Sequence, residues 1–261
     1  MKTRVLSGLA MVPLLVLVYL GSYWLVGMVI LVGLVGTREF FNGFRAMDIH
    51  PSDAIAYVSM FVLYTLNCFW PMEHEYILAW LVASIMASSI YIFKIDQRKI
   101  EDAMATMLGI IYVIFMSFHV VLVDQTGEYS ILIWLVLLSA FCTDIFAYFT
   151  GYLIGKHKLA PVLSPKKTIE GAVGGALGSV ICCGLFGYLV VPDILIHCLI
   201  IGLIGGILSQ CGDLTASAYK RKMGIKDYGN LIPGHGGIMD RFDSVLFTAP
   251  VVYYYIILVL A

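Results

Sequence analysis

Val5–Gly36 reads VLSGLAMVPLLVLVYLGSYWLVGMVILVGLVG and carries no charged residue. A helix needs about 20 apolar residues to cross a bilayer. The run is therefore too long for one crossing, and Gly21-Ser22 divides it into two spans, roughly 5–20 and 23–44. The basic start, Met1-Lys-Thr-Arg4, is also how a secretory leader begins. A second apolar span follows at once, however, without a small-residue cleavage site, so the run reads as membrane spans. Outward from it the same pattern recurs at about 54–70, 76–93, 104–123, 129–154, 171–191, 194–212 and 244–261. The expected fold is an all-α, polytopic integral membrane protein with about nine transmembrane helices.

Composition agrees. Hydrophobic residues make up 61% of the chain and charged residues 13%, with a mean hydropathy of +0.93. An ordinary soluble domain is about one-quarter charged. The net charge of −1 says nothing of partners, but its distribution does. After the first, third, fifth and seventh spans the connections are Gly21-Ser22, 70–75, 124–128 and 191–193, and none holds a lysine or arginine. All 16 basic residues fall on the opposite side. Basic residues mark cytoplasmic loops, so the N-terminus is expected in the cytoplasm and the C-terminus outside. The six cysteines lie in or beside apolar runs without CxxC spacing, which argues against a zinc site or disulfide framework.

The chain divides in character near residue 125. Residues 1–125 hold five spans and read as structural and lipid-facing. Residues 126–261 hold the remaining spans and two polar cytoplasmic loops, 155–170 and 213–243. The longest polar interval is Ser209–Ser244, SQCGDLTASAYKRKMGIKDYGNLIPGHGGIMDRFDS. If its start is helical, Asp213, Ser217, Lys220 and Arg221 share a face, as do Asp240 and Asp243 in a second helix, because positions three and four apart stack. Pro233 and the glycines around His235 preclude a helix between them. Interleaved carboxylates, a basic cluster and exposed glycine backbone at a membrane edge suit a polyphosphate held with a metal ion. Asp144 lies inside a span, where an ionisable group is a functional candidate by default. Lys166 and Lys167 sit in the cytoplasmic loop that follows, and Gly171, Gly174, Gly175 and Gly178 form a small-residue face suited to close helix packing. His235, flanked by Gly234, Gly236 and Gly237, reads as lining a site where backbone approaches a ligand closely.

The 27 residues from Ser217 to Asp243, with Lys220-Arg221, Lys226-Asp227, Pro233-Gly-His-Gly-Gly237 and Asp240-Arg-Phe-Asp243, closely resemble the signature of the phosphatidate cytidylyltransferases, or CDP-diacylglycerol synthases. Ser164-Pro-Lys-Lys-Thr-Ile-Glu-Gly171 and the run Asp-x-x-Ala-Tyr-x-x-Gly from Asp144 look like further motifs of that family. The resemblance implies transfer of a cytidylyl group from CTP to phosphatidate, giving CDP-diacylglycerol and pyrophosphate in phospholipid biosynthesis. It implies Mg2+ on Asp213 and Asp240, leaves room for a second, monovalent cation such as K+, and implies catalytic roles for Asp213, Asp240, Lys220, Arg221, Arg241 and His235. Asp144, Lys166, Lys167, Ser217, Lys226, Gly236, Gly237 and Asp243 would bind substrate. Further expectations are a homodimer in the cell membrane, an active site facing the cytoplasm, and no nucleic-acid partner. The alternatives are a CTP-dependent polyprenol or phytol kinase, whose alcohol nucleophile would need a base, and a transporter, which would spread polar residues through several spans.

Overall fold

The structure is a computed structural model and describes residues 12–231 and 236–261. In chain order its elements are α1 (Val12–Leu20), α2 (Ser22–Arg45), α3 (Asp53–Phe69), α4 (His74–Ile90), α5 (Ile100–Asp124), α6 (Ile133–Ile154), β1 (Lys158–Ala160), β2 (Ser164–Thr168), α7 (Ile169–Val190), α8 (Leu195–Lys222) and α9 (Met239–Tyr255). Helix α5 widens into a π-helical stretch at Ile110–Phe115, and α9 continues as one at Ile256–Leu260. Among the described residues, seven helical segments of 20 to 31 residues are long and apolar enough to cross a membrane, and Asp53–Phe69 is a shorter apolar helix. The chain is thus an all-α polytopic membrane protein in its main architecture. Residues 5–11 of the first expected span lie outside the described residues. Among the described residues, the two strands form an antiparallel hairpin in the loop at 155–170, pairing Lys158 with Thr168 and Ala160 with Ser164.

Two units emerge. One takes the residues up to Gln125 together with Lys222–Arg241, and the other takes Thr126–Arg221 with Phe242–Ala261. The sequence places residues 222–241 with the C-terminal region, but in the structure their contacts are with the N-terminal helices.

In the first unit the break expected at Gly21-Ser22 is a turn with φ of 59° at Gly21 and 49° at Ser22, held by the Ser22 amide donating to Asp124 Oδ2 at 2.8 Å. The core of this unit is built on Leu25, Phe40, Phe41, Leu63, Ile110, Ile114, Phe118 and Leu122, all 0–1% exposed. The Phe40 ring lies 5.4 Å from that of Tyr112 and 5.9 Å from that of Tyr228.

In the second unit α6, α7 and α8 meet through small residues. A Cβ on Gly175 would stand 2.9 Å from the Thr143 carbonyl oxygen, and one on Gly171 would stand 2.8 Å from that of Ala147. On the other side of α7, the Ser179 hydroxyl donates to the Gly202 carbonyl at 2.7 Å. A Cβ on Gly206 would stand 2.8 Å from Ser179 Cβ. Lipid gives helices no hydrophobic reason to associate, so close backbone approach and its dispersion energy take over. All six cysteines are free thiols.

Gly175→Leu sets a side chain against backbone that cannot rotate away, so it is expected to destabilise the protein in detergent by about 1–3 kcal/mol. Gly27→Ala faces open space and should change thermal unfolding by less than about 1 kcal/mol. Equal unfolding temperatures for the two variants would contradict this packing.

Candidate active site

Helix α8 does not end at residue 212, where the apolar run stops, but continues to Lys222. The start of the expected loop 213–243 is therefore helical, and Asp213, Ser217, Lys220 and Arg221 take the shared face that their spacing predicts. Asp213 is the centre of a small network. Its Oδ2 pairs with Lys167 Nζ at 2.5 Å, and its Oδ1 accepts from the Ser217 hydroxyl at 3.3 Å. Both members of the ion pair keep about a quarter of their side-chain surface exposed, 28% for Lys167 and 26% for Asp213. Arg221 donates through Nε to the Leu163 carbonyl at 3.3 Å, so it grips the hairpin turn.

A cavity of about 520 Å3 opens beside this network, walled by Asp144, Tyr148, Tyr152, Lys158, Lys166, Lys167, Gln210 and Asp213 among others. Four elements supply its charged and amide groups: α6 carries Asp144, β1 carries Lys158, β2 carries Lys166 and Lys167, and α8 carries Asp213 and Gln210. Gln210 was not expected; its Nε2 donates to the Ala172 and Gly206 carbonyls at 3.1 and 3.2 Å, tying α8 to α7. Asp243 is buried at 7% exposure, with Oδ1 accepting from the Ser244 amide at 2.8 Å. Asp144, Asp213 and Lys220 lie within electrostatic reach of it. Three carboxylates so close demand cationic partners, and two lysines supply part of that charge.

The hairpin that presents Lys166 and Lys167 is held at its base by Glu170. Its carboxylate accepts from the Lys156 amide at 3.0 Å and the His157 amide at 3.2 Å, and it pairs with His157 Nδ1 at 2.6 Å. The Thr168 hydroxyl accepts from the Gly171 amide at 3.1 Å and starts α7. Glu170 thus acts on the fold, as a helix-start and salt-bridge residue.

The other predicted residues belong to the first unit. Asp240, 8% exposed, accepts through Oδ2 from the Tyr228 amide at 2.8 Å and the Gly237 amide at 2.9 Å. Gly236 has φ of +84°, and a Cβ there would meet Asp240 Oδ2 at 2.7 Å, so the turn needs glycine twice over. Lys226 is exposed, and Arg241 is the third residue of α9, in its first turn. His235 lies outside the described residues. Unexpected here is Glu39 of α2, read from the sequence only as part of a structural span. It is 7% exposed and its Oε2 accepts from the Met239 amide at 2.9 Å. The signal was present: Arg38-Glu39 is a charged pair within an apolar run.

Among the described residues, no three His, Cys, Asp or Glu side chains converge as a ready-made metal cage. Hard oxygen donors in ones and twos suit magnesium, which takes one or two carboxylates and completes its shell with substrate phosphates and water.

A motif-bearing cavity of this kind has relatives. The model of the cytidylyltransferase family matches residues 2–259. The chain belongs to the cytidylyltransferase family. It is 34% identical to a phosphatidate cytidylyltransferase of Synechocystis sp. over 281 aligned positions, covering 94% of this chain and 92% of that protein. A phosphatidate cytidylyltransferase of Thermotoga maritima is 33% identical, over 97% of this chain and 95% of its own length. An uncharacterised Escherichia coli protein, YnbB, is 43% identical over 132 residues, 51% of this chain and 44% of that protein. In this member of the family, carboxylates and lysines line one cavity.

Glu170→Ala removes the acceptor of two amides and one imidazole. Trypsin is expected to cut at Lys158, Lys166 and Lys167 roughly tenfold faster or more, as befits the loss of charge-assisted hydrogen bonds. Unchanged cleavage would mean that the hairpin stands without Glu170.

Proposed function

We propose that this cytidylyltransferase moves the cytidylyl group of CTP onto phosphatidate, forming CDP-diacylglycerol and pyrophosphate. The observation that carries the reading is the cavity lined by Asp144, Asp213, Lys166 and Lys167 in a membrane-helix unit. Its walls offer charge for phosphates and span-length helices for acyl chains. The names of the Synechocystis and Thermotoga relatives point to the same reaction.

The reaction is an in-line displacement. A phosphate oxygen of phosphatidate attacks the α-phosphorus of CTP, a new P–O–P linkage forms, and the bond to the β-phosphate breaks, releasing pyrophosphate. That oxygen is already anionic near neutral pH, so no strong base is required. The barrier lies in bringing two anions together, and fixed positive charge and positioning lower it. Lys166 and Lys167 hold phosphate at the cavity wall. Lys220, Arg221 and Arg241 neutralise the substrate and the departing pyrophosphate, with Lys226 at the rim. Asp213 and Asp240 would hold Mg2+, with Asp144 and Asp243 as supporting carboxylates; when bound, this ion supplies charge neutralisation of the triphosphate. A monovalent cation such as K+ beside it would spread the charge of so many acids. His235, Gly236 and Gly237 bring backbone close to the nucleotide, and Ser217 orients Asp213.

The chain crosses the cell membrane nine times on this reading, with its N-terminus and active site in the cytoplasm and its C-terminus outside, and works as a homodimer. The one-sided distribution of all 16 lysines and arginines supports the orientation.

Purified protein with phosphatidate, MgCl2 and CTP labelled at the α- or γ-phosphate is expected to place α label in lipid and γ label in pyrophosphate. Chelation by EDTA should stop turnover. Asp213→Asn and Asp240→Asn should each lower kcat/KM about 100-fold or more. Gamma label on an added polyprenol would replace this reading with the kinase. For the topology, trypsin added outside intact spheroplasts should leave the chain whole, while inverted vesicles should be cut between residues 94 and 99 and between 156 and 167. Cleavage from the outside would overturn the orientation.

A further inference from the structure

We infer that Glu39 is a positioning residue: from helix α2 it fixes the backbone at which α9 begins, and through that backbone the carboxylate of Asp240. The inference rests on the proposed reaction for its kinetic consequence and on geometry for its structural one.

The first N–H groups of a helix have no partner within it. At the first residue of α9 and just before it, two carboxylates take backbone N–H groups, while the Arg241 amide closes on the Ile238 carbonyl at 2.9 Å. Glu39 Oε2 accepts from the Met239 amide at 2.9 Å, and the Ile238 amide also donates to this carboxylate. Asp240, in the first turn, reaches back to accept from the Gly237 amide at 2.9 Å. Glu39 is 200 positions away from Met239 in sequence, so it acts as an N-cap supplied by another helix. Negative charge at this end is favoured by the helix dipole, which helps two acids sit side by side.

Steric fit makes the contact specific. A Cβ on Gly229 would stand 2.3 Å from Glu39 Oε1, and one on Gly237 would stand 2.3 Å from Oε2. The carboxylate therefore lies in a slot that only glycine leaves open, between the two ends of the signature loop. Its neighbour Phe40, fully buried, packs on the Tyr228 ring at 5.9 Å. The Tyr228 amide is the second donor to Asp240 Oδ2, at 2.8 Å. Adjacent residues of α2 thus grip the loop at both places that hold Asp240. A purely structural acid would affect only stability. Glu39 instead governs where one oxygen of Asp240 points, and a misplacement of about 1 Å in such a group can cost about 100-fold in rate.

The experiment compares wild type, Glu39→Ala and Glu39→Gln in detergent by hydrogen exchange and by steady-state kinetics. In Glu39→Ala, exchange in the peptide covering Gly237–Met239 should rise tenfold or more while peptides of α6 and α7 exchange as in wild type. Its kcat, per folded molecule, should fall between about tenfold and 100-fold, with KM for phosphatidate unchanged within about twofold. Glu39→Gln keeps one acceptor oxygen and the side-chain volume, so it should recover part of the rate and part of the protection. Wild-type exchange or wild-type kcat in Glu39→Ala, or a loss carried by KM, would overturn the inference. If the alanine variant does not fold, Glu39→Gln decides alone: full wild-type protection and rate would overturn it. If wild type transfers no cytidylyl group, the proposed function has failed, and exchange alone decides whether Glu39 holds the segment.

Discussion

A carboxylate removed from water must be given donors, and in this chain the donors it is given are what order the polar segments. Asp213 takes a lysine and a hydroxyl; Asp240 takes two amides; Glu39 takes the start of a helix; Glu170 takes two amides and an imidazole. For the two that are buried, Glu39 and Asp240, an ionised carboxylate left without partners would be neutralised or expelled; Asp213 and Glu170 are more open and are ordered by their bonds all the same. Each acid is therefore also a constraint on the backbone or base that satisfies it. Glu170 does this for the Lys158–Thr168 hairpin, and Glu39 and Asp240 do it for Tyr228, Gly237 and Met239. These segments are shaped by the acids that need them.

The glycines serve the complementary need. At Gly171 and Gly175 the chain trades side-chain volume for backbone contact between α6 and α7. This draws Asp144 on α6 and the lysines on β2 to the wall of one cavity. At Gly229 and Gly237 the same economy of volume admits a carboxylate rather than a helix. Helix packing and loop fixation thus use one residue type in two ways.

Much of this is legible in the sequence because it follows from local rules. The apolar runs announce the membrane helices, since their length is set by the bilayer. The spacing of Asp213, Ser217, Lys220 and Arg221 places them on one face once the segment is helical. The small-residue stripe from Gly171 to Gly178 indicates close packing. What is not legible depends on long-range partners. Hydropathy ends a span at residue 212, while the backbone has no reason to stop a helix there and runs on to Lys222. The hairpin at 158–168 follows from Glu170 and Arg221, neither of which marks a strand. Glu39 finds its partners 190 and more positions away, beyond any periodicity. The partners of Asp240 lie within its own motif, yet nothing in the motif says that its Oδ2 faces amides.

Residues 222–241 belong with the helices that precede residue 125, although the intervening 126–221 must be made first. On a ribosome this imposes a waiting time. Met239 follows Glu39 by 200 positions, so at about 5–20 residues per second roughly 10–40 s of synthesis separate this acid from the segment that satisfies it. During that interval a buried acid stands without its native donors. The early helices have their own packing and hydrogen bonds meanwhile, such as Ser22 to Asp124 and Trp80 to the Ser59 carbonyl, and the unit closes only when the signature segment threads back. The order of translation is thus the reverse of the order of dependence.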